Sequence, residues 1–225
     1  MLARLFAWLG GALFVFSLAF CAWSYLVVWS APGAFTGWRA FAIDAALFSV
    51  FALHHSVLAR DRVKAQLARL VPDPLMRPTY VWIASALFVL VCASWQLTGV
   101  DVYHVTGPLV APLAGVQLAG VALIAWSVRG LDPLELAGIH GADARTTLQI
   151  TGPYRWVRHP LYLGWVLAVF GAAHMTGARL SFAVISTIYL VLAVPWEERS
   201  LRRAFVDDYD RYARQVRWRI IPFVY

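Results

Sequence analysis

The segment with the greatest capacity for chemistry runs from Gly152 to Gly164 and reads GPYRWVRHPLYLG. Two arginines, one histidine and two tyrosines occupy it, although apolar residues dominate the chain around it. Pro160 suits the first turn of a following helix, because its missing N–H donor is not needed there. Arg158 and His159 would then lie beside the free N–H groups and positive dipole of that helix. The segment is therefore interpreted as a site for a carboxylate or another polar group at a membrane surface. The alternative is contact with lipid phosphates and an interfacial tyrosine belt.

A second polar segment, PWEERSL, follows about forty residues later and contains Glu197 and Glu198. The apolar residues between the two segments are interrupted by TGAR at positions 176–179, a pattern that predicts a helical hairpin. Such a hairpin returns the chain to the membrane face that it left. The two acids are therefore expected to approach Arg158 and His159 and to form a pocket that carries both signs of charge.

The composition indicates which elements hold these residues. The chain has 225 residues, of which 61% are hydrophobic and 14% are charged, whereas soluble domains average about 25% charged residues. It is therefore predicted to be an integral membrane protein. The net charge of +7 does not indicate nucleic-acid binding, because no basic cluster lies on a predicted soluble element. Cys21 and Cys92 lie in apolar runs and indicate neither a metal site nor a disulfide framework.

The predicted fold is an all-α, polytopic membrane helix bundle with about six spans, since a membrane helix needs about 20 apolar residues. The last two spans are short and form the hairpin, and the charged tail from Glu197 to Arg217 is predicted to be a cytoplasmic amphipathic helix. One domain, residues 1–225, is expected, with substrate-side spans in 1–128 and the cofactor-binding part in 129–225. The predicted spans are Leu5–Trp29, Trp38–Leu58, Thr79–Leu97, Leu109–Val128, Leu161–Met175 and Leu180–Trp196.

The distribution of basic residues predicts the orientation of the bundle. With six spans, 17 of the 19 lysines and arginines fall on one side of the membrane, and Arg39 and Arg179 fall on the other. The positive-inside rule then places both termini in the cytoplasm. Five spans would place the arginine-rich tail on the opposite side and remove the asymmetry.

Taken together, RHPLYLG, the hairpin, EERSL and a tyrosine-rich tail resemble the isoprenylcysteine carboxyl methyltransferase and phospholipid methyltransferase superfamily. Three further segments, at 53–60, 77–81 and 174–180, are similar to those of bacterial methanethiol S-methyltransferases. The resemblance implies S-adenosylmethionine as the cofactor and methyl transfer to a small thiol such as methanethiol, giving dimethyl sulfide. One departure is that the family's Phe-Gly before the Tyr-x-x-Tyr stretch reads Phe205-Val206.

The same resemblance implies which residues surround the cofactor. They come from the RHPLYLG segment, the acidic pair and the tail, and Tyr154 is expected to join them from the first polar segment. The expected cofactor-binding residues are Tyr154, His159, Pro160, Tyr162, Leu163, Gly164, Glu197, Glu198 and Tyr212.

A thiol acceptor requires a proton acceptor, because the thiolate is the nucleophile. His55, at the end of the second predicted span, is the candidate base near neutral pH, and the adjacent His54 is the other candidate. Capping of the helix end is the structural alternative for both. Arg158 is the second predicted catalytic residue, as a cation that positions a reacting group.

Asp44 is the third predicted catalytic residue. It precedes His55 by eleven residues, which is three helical turns, so both share one helix face. A carboxylate within a span indicates function, and Asp44 is expected to hold a polar group of another span, such as Ser94 or Gln96, or to face the substrate. No metal site is expected, because no two histidines have the spacing of ligands one helical turn apart.

Other functions remain open at this level. An O-methyltransferase of an isoprenylcysteine or other lipidic carboxyl group needs no base but needs a cation, for which Arg155 or Arg158 would serve. A nicotinamide-dependent reductase and a non-catalytic membrane accessory protein are further alternatives. The expected partners are a small apolar thiol and membrane lipid, without nucleic acid, and the oligomeric state is left open.

Overall fold

The computed structural model of the protein describes residues 1–31, 33–34, 37–58, 63, 66–67, 69, 71–96, 100–129, 132–140 and 148–225. Four of the seventeen basic residues that predict the orientation lie outside these ranges: Arg60, Arg62, Lys64 and Arg145.

Seven α-helices and two short strands make up the described part of the chain. The helices are α1 (Leu2–Leu26), α2 (Trp38–Leu58), α3 (Asp73–Ser94), α4 (Val110–Ser127), α5 (Pro133–Leu136), α6 (Pro160–Phe170) and α7 (Gly177–Gln215). The strands are β1 (Asp101–His104) and β2 (His174–Thr176), and 3-10 turns occupy Val28–Ser30, Gly107–Leu109 and Gly152–Arg155.

Five of these helices, α1, α2, α3, α4 and α7, are long and apolar enough to cross a membrane. Many of their large apolar side chains are exposed, among them Leu18, Leu118 and Leu192. This is the expected arrangement where lipid is the solvent, because the backbone polar groups are satisfied within each helix. The predicted all-α polytopic membrane bundle is confirmed.

The hairpin differs in detail from the prediction. Helix α6 ends at Phe170 and has 11 residues, about 16 Å of helix at 1.5 Å per residue, against a bilayer core of about 30 Å. After it, His174 and Met175 of the predicted fifth span belong to strand β2, and Ala173 accepts a hydrogen bond from the Val105 N–H, at 2.9 Å. The helix is therefore shorter than the apolar run predicted.

The charged tail is helical, as predicted, but the last span continues into it. Helix α7 runs from Gly177 through Pro195 to Gln215, and a kink at Val206, with φ 33° and ψ −112°, divides it into two helical stretches. The second stretch lies wholly within the tail. A positive φ is costly for a β-branched residue, and this is the position at which the resembling family has glycine.

The chain divides into two compact units. The first comprises the described residues within Met1–Asp101, Leu131–Asp143 and Thr176–Ser181. In it, the indole N–H of Trp82 on α3 donates to the Phe6 carbonyl of α1, at 2.9 Å, and Phe51 of α2 stacks on Phe88 of α3. Arg179 closes the C-terminal end of α1 by donating to the Tyr25 and Leu26 carbonyls, each at 2.8 Å.

The second unit comprises the described residues within Val102–Gly130, Ala144–Met175 and Phe182–Tyr225. Its helices α4 and α6 cross where Gly120 meets Gly164. A Cβ added at Gly120 would lie 2.6 Å from the Gly164 carbonyl oxygen, and one at Gly164 would lie 2.7 Å from the Gly120 carbonyl oxygen. Small residues at such crossings let two membrane helices approach closely. This contact fixes the helix that begins at Pro160.

Candidate active site

The first turn of α6 holds the RHP segment at a defined place in the second unit. His159 is the N-cap residue and Pro160 the first helical residue, as predicted. The N–H groups of Arg158 and His159 donate to the carbonyls of Trp218 and Arg219, at 2.9 and 2.8 Å. The residues after α7 therefore hold the main chain of the RHP segment in place.

The Glu198 carboxylate lies at the centre of a cluster of cations, and its side chain is only 1% exposed. Its Oε1 atom is 3.2 Å from Nε of Arg158, 3.5 Å from Nε2 of His159 and 3.5 Å from Nε of Arg219. Nη2 of Arg202 is 3.7 Å from the other oxygen. The hairpin thus brings Glu198 to Arg158 and His159, as the sequence predicted. Because the site lies at the end of a membrane span, these charges are poorly screened by water.

Several buried polar atoms of this cluster lack a hydrogen bond of good geometry within the described part of the chain. They are both Glu198 oxygens, Nε of Arg158, Nε2 of His159 and the Tyr209 hydroxyl. The charges are close, but their N–H groups do not point at the oxygens. Buried polar groups are almost always hydrogen-bonded, and the unsatisfied ones here are adjacent. Such a group of donors and acceptors can receive a polar ligand.

Glu197 occupies a different environment from Glu198, since its side chain is 46% exposed. It accepts a hydrogen bond of 2.7 Å from the Tyr162 hydroxyl, and its Oε2 atom lies 3.5 Å from Nδ1 of His159. The rings of His159 and Tyr162 stack, with centroids 5.3 Å apart and planes inclined by 12°. Glu197 thus lies at the exposed edge of the cluster, beside the buried His159 ring.

The tyrosines of the tail turn back toward the first polar segment. The Tyr212 hydroxyl donates to the Tyr154 carbonyl, at 2.8 Å, and the Tyr154 hydroxyl donates to the Ser127 carbonyl at the end of α4, at 3.3 Å. Tyr209 is buried, and the Arg202 guanidinium lies 5.3 Å from its ring centroid. The kink at Val206 precedes both tyrosines and redirects the helix that carries them.

Sequence reasoning missed Arg202, Tyr209 and Arg219 as members of this cluster. In the sequence the two arginines contribute only to the charge asymmetry that predicts the orientation, and nothing in their spacing distinguishes them from the other arginines of the tail. A signal was present for Tyr209, because it is the first tyrosine of the Tyr-x-x-Tyr stretch. For Gly164, the structure shows a packing contact with α4, and its role at a cofactor remains a prediction, as does that of Leu163.

The predicted catalytic residues of α2 lie in the first unit. The His55 ring nitrogen Nδ1 and the Tyr80 hydroxyl are 2.6 Å apart, and His54 stacks on the same tyrosine. Asp44 is fully buried, and its Oδ1 atom accepts a hydrogen bond of 2.9 Å from the main-chain N–H of Gln96. Gln96 was among its predicted partners, although the contact uses the main chain.

His104 and His174 form a pair elsewhere in the second unit, with ring centroids 4.2 Å apart.

Comparison with known proteins assigns the family. A family profile described as "Phospholipid methyltransferase" matches residues 116–208. A "Methanethiol S-methyltransferase" of Crocosphaera subtropica is 35% identical over 192 residues, covering 81% of this chain and 74% of the relative. The chain is a membrane methyltransferase of this family.

Other relatives of the methyltransferase carry the same name. That of Mycobacterium tuberculosis is 33% identical, over 79% of this chain and 77% of its own length. A "Methanethiol S-methyltransferase 1" of Bradyrhizobium diazoefficiens is 35% identical, and the match spans 64% of that longer protein. No solved structure matches the methyltransferase. The profile match includes Arg158, His159 and Glu198 but ends before Tyr209, so the cluster extends beyond the part that the profile describes.

Proposed function

We propose that this methyltransferase transfers a methyl group from S-adenosylmethionine to a small thiol such as methanethiol, which yields a thioether such as dimethyl sulfide. The thiol is taken from the names of the relatives. The observation that carries the proposal for this chain is the buried cluster of Arg158, His159 and Glu198. Four of its polar atoms, Nε of Arg158, Nε2 of His159 and both Glu198 oxygens, lack hydrogen-bond partners among the described residues.

The residues of the cluster fit the polar end of the methyl donor. That end carries a carboxylate and an ammonium group, and the cluster offers guanidinium donors beside buried and exposed carboxylates. When bound, S-adenosylmethionine supplies an electrophilic methyl carbon on a cationic sulfur. We assign its binding to His159, Glu197 and Glu198, with Tyr154, Pro160, Tyr162, Leu163, Gly164 and Tyr212 as the remaining proposed contacts.

The reaction requires a deprotonated acceptor. In the proposal the thiol proton passes to the His55 imidazole, and the Tyr80 hydroxyl orients this ring through the contact at Nδ1. The thiolate sulfur then forms a bond to the methyl carbon as the bond from that carbon to the sulfonium sulfur breaks, and the electron pair stays on the departing sulfur. Opposite charges cancel in this step, so fixed protein groups in place of water favour it.

Replacement of His55 tests the proton transfer. His55→Ala should lower turnover by about 10²- to 10⁴-fold, the usual contribution of a general base, without a change in S-adenosylmethionine affinity. Raising the pH toward the pKa of the thiol should partly restore turnover, because solvent then supplies the thiolate. Steady-state rates from pH 6 to pH 9 with methanethiol measure both effects.

Tyr80→Phe is the matched control, since it keeps the ring and removes only the hydroxyl. It should lower turnover less than His55→Ala does and require no pH rescue. Wild-type turnover of His55→Ala at every pH would remove His55 from the mechanism and leave it as a helix-end residue. His54→Ala, measured in parallel, identifies the base if the neighbouring histidine has that role.

The acceptor is tested with a panel of small thiols and prenylcysteines. A carboxylate acceptor is already ionised, so methylation of a prenylcysteine carboxyl group would show no alkaline rescue in His55→Ala. Methyl transfer to methanethiol, with none to prenylcysteine, is the expected result. The reverse result would replace the proposed function with O-methylation.

We also propose that the bundle lies in the inner membrane with both termini in the cytoplasm. One support is the charge distribution, with 17 basic residues on one predicted side of the membrane and two on the other. The other is the antiparallel hairpin, in which Tyr162 of α6 donates a hydrogen bond to Glu197 of α7, and Trp165 of α6 donates one to Ser186 of α7. Reporter fusions at residue 102 and after Tyr225 should fall on opposite sides of the membrane. Reporters on the same side would contradict this topology.

A further inference from the structure

The residues after α7 form a closed loop, Arg217–Tyr225, which we call the C-terminal strap. Its end folds back on its beginning, because the N–H groups of Arg219, Ile220 and Ile221 all point at the Tyr225 carbonyl, at 2.8 to 3.2 Å. Ile220 is buried, and Trp218 packs on Phe223 with ring centroids 5.3 Å apart. The strap therefore has a defined conformation and is not a frayed tail.

The strap contacts the candidate site both through its main chain and through a side chain. Its carbonyls at Trp218 and Arg219 accept the N–H groups of Arg158 and His159, which holds the main chain of the RHP segment. Its one side chain at the cluster is that of Arg219, whose Nε atom lies 3.5 Å from the buried Glu198 carboxylate.

The Arg219 guanidinium is held in place, but one of its nitrogens has no hydrogen-bond partner among the described residues. Its Nη1 atom donates to the Tyr225 hydroxyl, at 3.1 Å, and the guanidinium lies 5.1 Å from the Tyr225 ring centroid. Among the described residues, its Nη2 atom has no hydrogen-bond partner. The side chain is 36% exposed, so a ligand can reach it. A guanidinium whose Nη2 group is free, beside a neutralised carboxylate, can donate to a second carboxylate.

We propose that Arg219 is a binding residue for the carboxylate of the methyl donor, and that the strap exists to hold it there. The proposal rests on the proposed function, since it names the part of S-adenosylmethionine that this edge of the cluster receives. The donor's carboxylate then replaces solvent at the Nη2 group of Arg219, while Nε of the same guanidinium stays beside Glu198.

Titration calorimetry on the detergent-solubilised protein tests this assignment with two ligands, S-adenosylmethionine and its decarboxylated analogue. Arg219→Gln should bind S-adenosylmethionine ~10-fold or more weakly, as expected for loss of a hydrogen bond to a charged group. The same substitution should leave affinity for the decarboxylated analogue within about twofold of wild type, because the analogue lacks the group that Arg219 contacts.

Two further variants separate binding from folding. Arg217→Gln removes an exposed arginine of the same strap and should bind both ligands as wild type does. Tyr225→Phe removes only the hydroxyl that orients Arg219 and should weaken S-adenosylmethionine binding by about two- to threefold. Thermal midpoints of all three variants establish that each is folded.

Each result has one meaning. Equal weakening of both ligands in Arg219→Gln would overturn the carboxylate contact and leave Arg219 as a support for Glu198. Unchanged binding of both ligands would also overturn it. Absence of S-adenosylmethionine binding to the wild-type protein would instead overturn the proposed function.

Discussion

The two units bury charge in different ways. In the first, Arg179 donates to the carbonyls of Tyr25 and Leu26, and Asp44 accepts from the Gln96 N–H. In the second, Glu198 is surrounded by charged side chains, and several of their polar atoms lack hydrogen bonds among the described residues. Main-chain groups near helix ends are thus the hydrogen-bond partners of both Arg179 and Asp44.

The difference gives a criterion for distinguishing a buried charged side chain that stabilises the fold from one that binds a ligand. An ion pair buried without hydrogen bonds is a weak source of stability, because desolvation offsets the Coulomb attraction. The Glu198 cluster is therefore a weak source of stability, and its unsatisfied polar atoms support the proposed binding role. Asp44 is intermediate, because its Oδ2 atom also lacks a partner among the described residues.

The largest effect is expected at Glu198. Glu198→Gln should weaken S-adenosylmethionine binding by about 10- to 100-fold, since a hydrogen bond to a charged group contributes about 1.5–3 kcal/mol. Glu197→Gln should cost only a few-fold, because that carboxylate is half exposed and screened by water. Calorimetry measures both affinities. Equal losses, or none in either variant, would remove the distinction between the two acids.

Arg179 should show the opposite behaviour. Arg179→Gln leaves two buried carbonyls without their donor and should destabilise the protein by about 2 kcal/mol, with a thermal midpoint lower by a few degrees. Its affinity for S-adenosylmethionine should stay within about twofold of wild type. Arg39→Gln, at an exposed position, is the control and should change neither quantity. Weakened cofactor binding in Arg179→Gln would contradict the conclusion that the two units use buried charge differently.

Val206 should give the smallest effect. Val206→Gly should stabilise the folded protein by about 1 kcal/mol, because glycine adopts a positive φ without the steric cost that valine incurs. Ala204→Gly, two residues earlier and in regular helix, should destabilise by a similar amount. Chemical or thermal unfolding of the two variants measures the sign. Destabilisation by both would show that Val206 is not strained.

The membrane bundle could be predicted because lipid imposes a length and an apolar composition on each span. Helix α2 has the predicted bounds, Trp38–Leu58. Helix α3 begins six residues earlier than predicted, at Asp73, and passes through Pro78. The Asp-Pro pair at 73–74 is a helix-start signal of its own, but the apolar run that defined the prediction begins only after Pro78.

The site could be predicted in part. The hairpin is a local topological feature, so the meeting of Arg158, His159 and Glu198 follows from sequence. Arg219 could not be found in this way, because its place depends on a loop without periodicity. The kink at Val206 could not be predicted from this residue either, since valine does not favour positive φ. The one indication is the glycine that the resembling family has at that position. The predicted division into substrate-side and cofactor-binding parts remains a prediction.

The strap also has a consequence for the order in which the protein is made. Sixty-one positions separate Arg158 from Arg219, and a ribosome delivers them in that order. When α6 and the apolar part of α7 enter the membrane, the RHP segment has not yet received the carbonyls of Trp218 and Arg219. The set of cations around Glu198 is therefore complete only once residue 219 has been made. A ribosome that stops before residue 219 releases an inserted bundle whose central carboxylate still lacks one of its cations.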